Sequence, residues 1–186
     1  MRNVLIVLSG PSGVGKGTIA KLLVEKNKDI KLSISCTTRA PREGEINGKE
    51  YFFISKTEFQ DKIKQNGFLE YSEHFENLYG TPKDFVDSKL IENDVLLEID
   101  VNGGLEVKKS FSDAVLIMVV PPTLDELKNR LVIRGSESIE KINMRMQRIG
   151  YELDKSKLYD YTVTNDNLND AIIQIEEIIK NEKNKS

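Results

Sequence analysis

Short strand-like apolar runs occupy positions 4–8, 95–99 and 114–120, with a weaker run at 161–163, and stretches of helical spacing separate them. Strands alternating with helices in this way predict a parallel sheet covered on both sides. After the first run, Ile19, Leu22 and Leu23 recur at helical spacing with Lys21, Glu25 and Lys26 on other faces. Leu105 and Val107 follow the second run, and Leu124, Leu127 and Leu131 follow the third behind Pro121, Pro122 and Thr123, a helix-starting group. The last helix is marked by Leu168, Ala171, Ile172, Ile175, Ile178 and Ile179 on one face, with residues 184–186 expected to fray.

Two stretches interrupt the alternation. Residues 35–82 carry short aromatic strands (Tyr51, Phe52, Phe53; Phe68, Leu69, Glu70, Tyr71) and turns at 42–44 and 47–48, which read as an inserted, partly antiparallel lobe. From 126 to about 155 the chain is helical and charged, broken at Arg134, Gly135 and Ser136, a segment suited to hinge over a ligand as a lid. A length of 186 residues fits one domain, with its core at about 1–34, 83–125 and 156–186. The expected class is α/β: a P-loop NTPase-type parallel sheet flanked by helices, with a small mixed-β lobe and a helical lid.

The first strand leads into Gly10, Pro11, Ser12, Gly13, Val14, Gly15, Lys16, Gly17 and Thr18. Glycines there let successive backbone N–H groups turn inward toward nucleotide phosphates at a helix N-terminus, and Lys16 adds a mobile cation. One position departs from the usual G-x-x-x-x-G-K-[ST] spacing: Gly17 stands where a magnesium-binding hydroxyl normally sits, and Thr18 follows one place later.

Composition narrows the setting. A formal charge of −3 argues against nonspecific nucleic-acid binding, and no apolar run approaches membrane length or carries a cleavage-site pattern, so the chain is expected in the cytoplasm. Cys36, the single cysteine, excludes an intramolecular disulfide and a multi-cysteine metal site, and is expected to be a small structural residue. His74, the single histidine, has no nucleophile motif nearby and is expected on the surface or in a loop. Only seven of the 27 basic residues are arginine, and six cluster: Arg39 with Arg42, and Arg130, Arg134, Arg145 and Arg148. Tight arginine groups suit bidentate phosphate contacts, with helix salt bridging as the alternative.

A phosphate loop alone is compatible with a GTPase, a motor ATPase or a small-molecule kinase. The base-reading N-K-x-D segment of GTPases is absent, and motors are usually longer, which leaves a small kinase with a second pocket for its acceptor. Residues 35–42 (Ser-Cys-Thr-Thr-Arg-Ala-Pro-Arg) and 44–51 (Gly-Glu-Ile-Asn-Gly-Lys-Glu-Tyr) resemble the guanylate kinase family. The resemblance continues in order through Phe68 to Tyr71, Tyr79-Gly80-Thr81, Glu98-Ile99-Asp100, Arg130, Arg134-Gly135 and Asn165-Asp166, and covers essentially the whole chain.

That resemblance implies transfer of the γ-phosphoryl group of MgATP to GMP, with ATP and GMP as the partners, no nucleic acid and no membrane, in a monomer or homodimer. It implies that Arg39, Arg42, Tyr51 and Tyr79 hold the GMP phosphate and that Ser35, Glu70, Thr81 and Asp100 read guanine. Glu98 joins that GMP set and is placed near the magnesium shell. ATP is assigned to the loop from Gly10 to Thr18 with Arg130, Arg134 and Asn165, and catalysis to Lys16, Arg39, Arg42, Arg134 and Arg145. Guanine carries donors at N1 and N2 and an acceptor at O6, which suits two carboxylates and a hydroxyl; adenine would leave a carboxylate facing an unprotonated N1. No protein-held metal is implied: Mg²⁺ arrives with ATP and rests mainly on phosphates and water.

Four positions depart from the commoner family pattern: Cys36 and Thr81 for serine, Glu98 for aspartate, and Asn102 for glutamine in the D-x-Q-G turn. Asn102 has no consequence derivable from the sequence. Two other readings stay open, an inactive guanylate-kinase-like protein-binding module and a kinase for another nucleoside monophosphate.

Overall fold

The computed structural model describes residues 2–74, 76–133 and 139–185. Its first half runs β1 (Leu5–Ser9), α1 (Lys16–Lys26), β2 (Ile30–Leu32), β3 (Cys36–Thr37), β4 (Phe52–Phe53), α2 (Lys56–Lys64), β5 (Phe68–His74), β6 (Asn77–Pro82) and α3 (Lys83–Leu90). The second half runs β7 (Asp94–Glu98), α4 (Val101–Ser110), β8 (Val115–Val120), α5 (Leu124–Ile133), α6 (Ile139–Asp154), a 3₁₀ turn at Lys155–Leu158, β9 (Tyr161–Thr164) and α7 (Leu168–Lys183).

The larger sheet has the order β2-β7-β1-β8-β9 and is parallel throughout. Every residue of β1 is buried, and alternation sends its side chains into two separate cores. Val4, Ile6 and Leu8 meet Ile19 and Leu23 of α1 and Ala171, Ile172 and Ile175 of α7 on one face. Leu5 and Val7 meet Val86 of α3 and Val101 and Val107 of α4 on the other. This two-sided burial is why the strand reads as an unbroken apolar run. β8 repeats the division, with Val115, Ile117 and Val119 on the first face and Leu116 and Met118 on the second.

The mixed sheet has the order β4-β3-β6-β5, with β3 and β4 parallel and the other pairs antiparallel. A register shift between Phe68 and Glu70 breaks the β5–β6 ladder, and consecutive Leu69 and Glu70 are both buried, which a regular strand does not allow on a one-sided sheet. Helix α2, which apolar spacing did not predict, starts at a capping box in which Ser55 and Glu58 satisfy each other's backbone N–H groups. Its buried Phe59 stacks on Phe68 with ring centroids 4.4 Å apart. Strands β2, β3 and β6 and helix α3 were also not anticipated; the first two are three and two residues long, too short to show a period.

Cys36 is buried in β3, where loss of solvation pushes its thiol up to about 11 and leaves it unreactive at neutral pH, as a structural residue should be. It lines an apolar cavity of about 390 Å³ with Phe52, Ile54, Pro82 and Phe85, apart from the residues assigned to either nucleotide. His74 ends β5 rather than lying in a loop, and its side chain is outside the described set. No helix among the described residues is long and apolar enough to cross a membrane.

The contrast between packing and capping is measurable by urea unfolding. Phe59→Ala should cost about 3–5 kcal/mol, because it empties the only fully buried aromatic position of α2, whereas Ser55→Ala should cost about 1 kcal/mol.

Candidate functional site

The phosphate loop leaves the buried end of β1 and turns into α1 at Gly15, whose φ of 103° places it in the left-handed region. A side chain there would also strike the Asn165 amide, 2.6 Å from an added Cβ. The N-terminus of α1 has no side-chain cap, so its first N–H groups remain available to an anion. Lys16 folds back over the loop, donating to the carbonyls of Gly10 at 2.6 Å and Pro11 at 3.2 Å. A polar cavity of about 430 Å³ opens here between Ser12, Gly13, Gly15, Lys16, Gly17, Thr18 and Glu98.

Two residues assigned to ATP brace this mouth, with Leu131 beside them. Asn165 is buried and donates through its side chain to the Val14 carbonyl at 2.7 Å. Arg130 donates to the Asn165 carbonyl at 3.1 Å and pairs with Glu126 at 3.0 Å, so it stands beside the loop already oriented. Leu131 of α5 packs against Gly13, 2.8 Å from where a Cβ would stand. Arg134 lies outside the described residues, as does the side chain of Arg145.

The Glu98 carboxylate faces Gly17, 3.5 Å from an added Cβ, and its charge also acts on Tyr51. It therefore stands between the loop and the aromatic cluster of the lobe. Among the described residues, no three His, Cys, Asp or Glu side chains converge into a metal cage. One carboxylate beside an open loop fits a cation that keeps phosphate oxygens and water as most of its ligands, with Glu98 as the protein group to face it.

Across the cleft, the lobe gathers Arg39, Tyr51 and Tyr79. The Arg39 guanidinium lies 5.6 Å from the Tyr51 ring centroid and 5.8 Å from that of Phe53, and the Tyr51 and Tyr79 rings meet edge to face at 5.9 Å. Arg39 is held by Glu45 at 2.8 Å in a pair that is only 15 % and 18 % exposed. Glu45 also accepts from the Arg42 backbone N–H at 2.7 Å, while the Arg42 side chain is exposed. Sequence reasoning missed Glu45; its signal was its position three residues after Arg42, where it can fold over the turn.

The second carboxylate group forms at the start of α4. Asp100 caps that helix, accepting from the Gly103 N–H at 2.8 Å. Glu70 comes from β5 and is 8 % exposed, with its carboxylate 2.9 Å from where a Gly103 side chain would begin. Gly103 was likewise missed, and its role is visible only once β5 is seen to cross α4. Burial, reinforced by the nearby Asp100 charge, pushes Glu70 up to about 7 against the pull of the Thr81 hydroxyl. Thr81 donates to Glu70 at 2.6 Å, so its one proton is committed to that carboxylate rather than offered to a ligand. Ser35 immediately precedes β3, and its carbonyl accepts from the Phe52 N–H at 2.9 Å.

The arrangement thus contains two groups of residues suited to an anion, the Gly10–Thr18 loop and an arginine–tyrosine cluster, with Glu98 between them and the Glu70 and Asp100 carboxylates at the start of α4. A family model for guanylate kinase matches residues 2–182. The guanylate kinase of Caldanaerobacter subterraneus subsp. tengcongensis is 50 % identical over 98 % of this chain and 89 % of its own length. That of Clostridium tetani is 48 % identical over 98 % and 88 %. The crystal structure of guanylate kinase from Anaplasma phagocytophilum matches all of this chain and 88 % of its own with a TM-score of 0.79, at 29 % identity. Identity near one half across almost the full length, on a fold shared throughout with a solved member, makes this chain a member of the guanylate kinase family.

Proposed function

We propose that this chain, a nucleoside monophosphate kinase by family, transfers the γ-phosphoryl group of MgATP to GMP in the cytoplasm. An oxygen of the GMP phosphate attacks the γ-phosphorus, the bond from that phosphorus to the β–γ bridging oxygen breaks, and ADP and GDP result. The observation that carries the reading is the pairing of Glu70 with Asp100 at the start of α4, behind the Arg39, Tyr51 and Tyr79 cluster. Two carboxylates match the N1–H and N2–H donors of guanine, and the cluster lies on the side facing the phosphate loop.

In this reading Thr81 fixes the orientation of Glu70, which leaves Ser35 to offer a proton to O6. Arg39 is preorganised by Glu45 and has further N–H donors for a phosphate. Lys16 exchanges the carbonyls of Gly10 and Pro11 for the ATP phosphates. Mg²⁺ bound with ATP supplies charge neutralisation of the phosphates. Arg42 swings in from its exposed position to the transferring group, while Arg130, Arg134 and Arg145 on the α5–α6 lid close from the other side. Phosphoryl transfer asks for this positioning and charge stabilisation more than for covalent participation by the protein.

The direct test is ADP formation from MgATP with GMP, AMP, UMP, dTMP and ribose phosphates as acceptors, with Lys16→Ala as the control. GMP should be preferred by a wide margin; preference for AMP, or no turnover with any acceptor, would overturn the reading. Asp100→Asn should narrow the GMP-to-AMP ratio of kcat/KM more than it lowers kcat, since asparagine still caps α4. Arg42→Ala should lower kcat by about 10³-fold or more; turnover at the wild-type rate removes Arg42 from the catalytic set.

Glu70 sets a pH dependence. Guanine donors require its ionised form, so protons compete with GMP, and the dissociation constant should weaken about tenfold between pH 8 and pH 6 for a group titrating near 7. Glu70→Gln should bind GMP more weakly and lose that slope, retaining only the titration of the GMP phosphate itself. For stability of the ligand-free chain the raised value acts oppositely: its contribution is fully present below 4.5 and is lost as pH rises through about 7. Isothermal titration in buffers of different ionisation enthalpy checks the proton release on binding.

A further inference from the structure

Asn102, the departure that carried no consequence in the sequence, sits one residue inside the first turn of α4 and is exposed. Its side-chain carbonyl accepts from Lys155 Nζ at 2.5 Å and lies 3.5 Å from the Tyr151 hydroxyl. Lys155 Nζ in turn lies 4.5 Å from the Tyr151 ring centroid, so the three side chains close a triangle. Tyr151 is in the last turn of α6 and Lys155 begins the 3₁₀ turn that follows.

A second contact lies beneath the first. The buried Tyr159 hydroxyl donates to the Val101 carbonyl at 3.1 Å and stands 2.2 Å from where a Cβ on Gly104 would be. The chain leaving α6 is therefore held to the first turn of α4 at two levels. That same turn is capped by Asp100 and, at Gly103, touches Glu70.

The placement of Lys155 gains little for stability alone. A helix N-terminus carries partial positive charge, which favours anions and disfavours a cation. An exposed hydrogen bond of this kind contributes little to folding. A tie from the end of α6 to the turn that holds both carboxylates does, however, make the position of one element report on the other. Ile149 of α6 packs in the same core cluster as Leu127 and Leu131 of α5, and Leu131 lies against the phosphate loop, so the connection is continuous from loop to α4.

We infer that Asn102, Lys155 and Tyr151 form a positioning latch that couples occupancy of the ATP site to the placement of Glu70 and Asp100 in the GMP site. The inference rests on the reading of α5 and α6 as a lid over ATP and of Glu70 and Asp100 as guanine readers. Coupling of this kind is reciprocal, so ATP should tighten GMP binding by the same factor by which GMP tightens ATP binding.

The test is the dissociation constant of GMP measured by calorimetry on the full chain, with and without saturating magnesium β,γ-imido-ATP. In the wild type the analogue should tighten GMP by about fivefold or more. Asn102→Ala and Lys155→Ala should each reduce that factor by about threefold or more while leaving GMP binding alone within about twofold of wild type. The double variant should lose no more than either single one, because both remove the same tie. A coupling factor that is unchanged in both variants, or that is already one in the wild type, overturns the latch. So does an equal weakening of GMP with and without the analogue, which marks simple damage to α4. Failure of the wild type to bind GMP at all is a different result, and it overturns the functional reading itself.

Discussion

Strand β1 has no face toward water: its five residues are buried, β7 and β8 bond to its two edges, and helices cover both sides. A slip of one residue would exchange Ile6 and Leu8 with Leu5 and Val7 between two differently shaped cores, so its register is held by every contact it makes. The end of β1 is consequently the best-determined point in the molecule. The phosphate loop starts there, and the parallel register that sets Leu8 opposite Glu98 brings β7 to its end at the same edge. The N–H of Asn165, just past β9, bonds to the Val120 carbonyl at the end of β8, completing the row. The loop after β1, Glu98 and Asp100 at the end of β7, and Asn165 after β9 converge because parallel strands end together, which is why open α/β sheets place ligands beyond their carboxyl ends.

The second determinant is electrostatic. Asp100 caps the N-terminus of α4, accepting from the Gly103 N–H. Glu70 approaches the same turn from a dry lobe, and the absence of a Gly103 side chain lets the two carboxylates come near each other. Burial, with the Asp100 charge, pushes Glu70 toward neutrality. In the proposed reading a guanine base adds donors to those that Gly103 and Thr81 already give the two carboxylates. The Arg39–Glu45 pair shows the opposite sign, with Glu45 holding the guanidinium in place.

Much of this was legible along the chain. The apolar runs predicted β1, β7 and β8 and a weaker one β9, and the amphipathic spacing predicted α1, α4, α5 and α7, because burial imposes a period on side chains. Strands β2 and β3 show no such period at three and two residues, and β6 was visible only as the motif Tyr79-Gly80-Thr81. The start of α2 was written plainly in Ser55 and Glu58, a capping signal that apolar spacing alone passes over. The candidate residues stood out through their order, while Glu45 and Gly103 did not, since each acts only through a partner distant in space or folded over a turn.

By itself the sequence determined the alternation of buried strands and helices, the glycine-rich loop with its shifted hydroxyl, and the order of motifs that marks the family, because these depend on local period and residue chemistry. The tertiary structure alone decided which groups meet. It placed Glu98 between the loop and the aromatic cluster, committed the Thr81 proton to Glu70, and joined Asn102 to Lys155 across 53 residues of chain. Those outcomes depend on strand register, the β5 bulge and the crossing of β5 over α4, which are set by the packing of whole elements and leave no periodic trace in the residues they bring together.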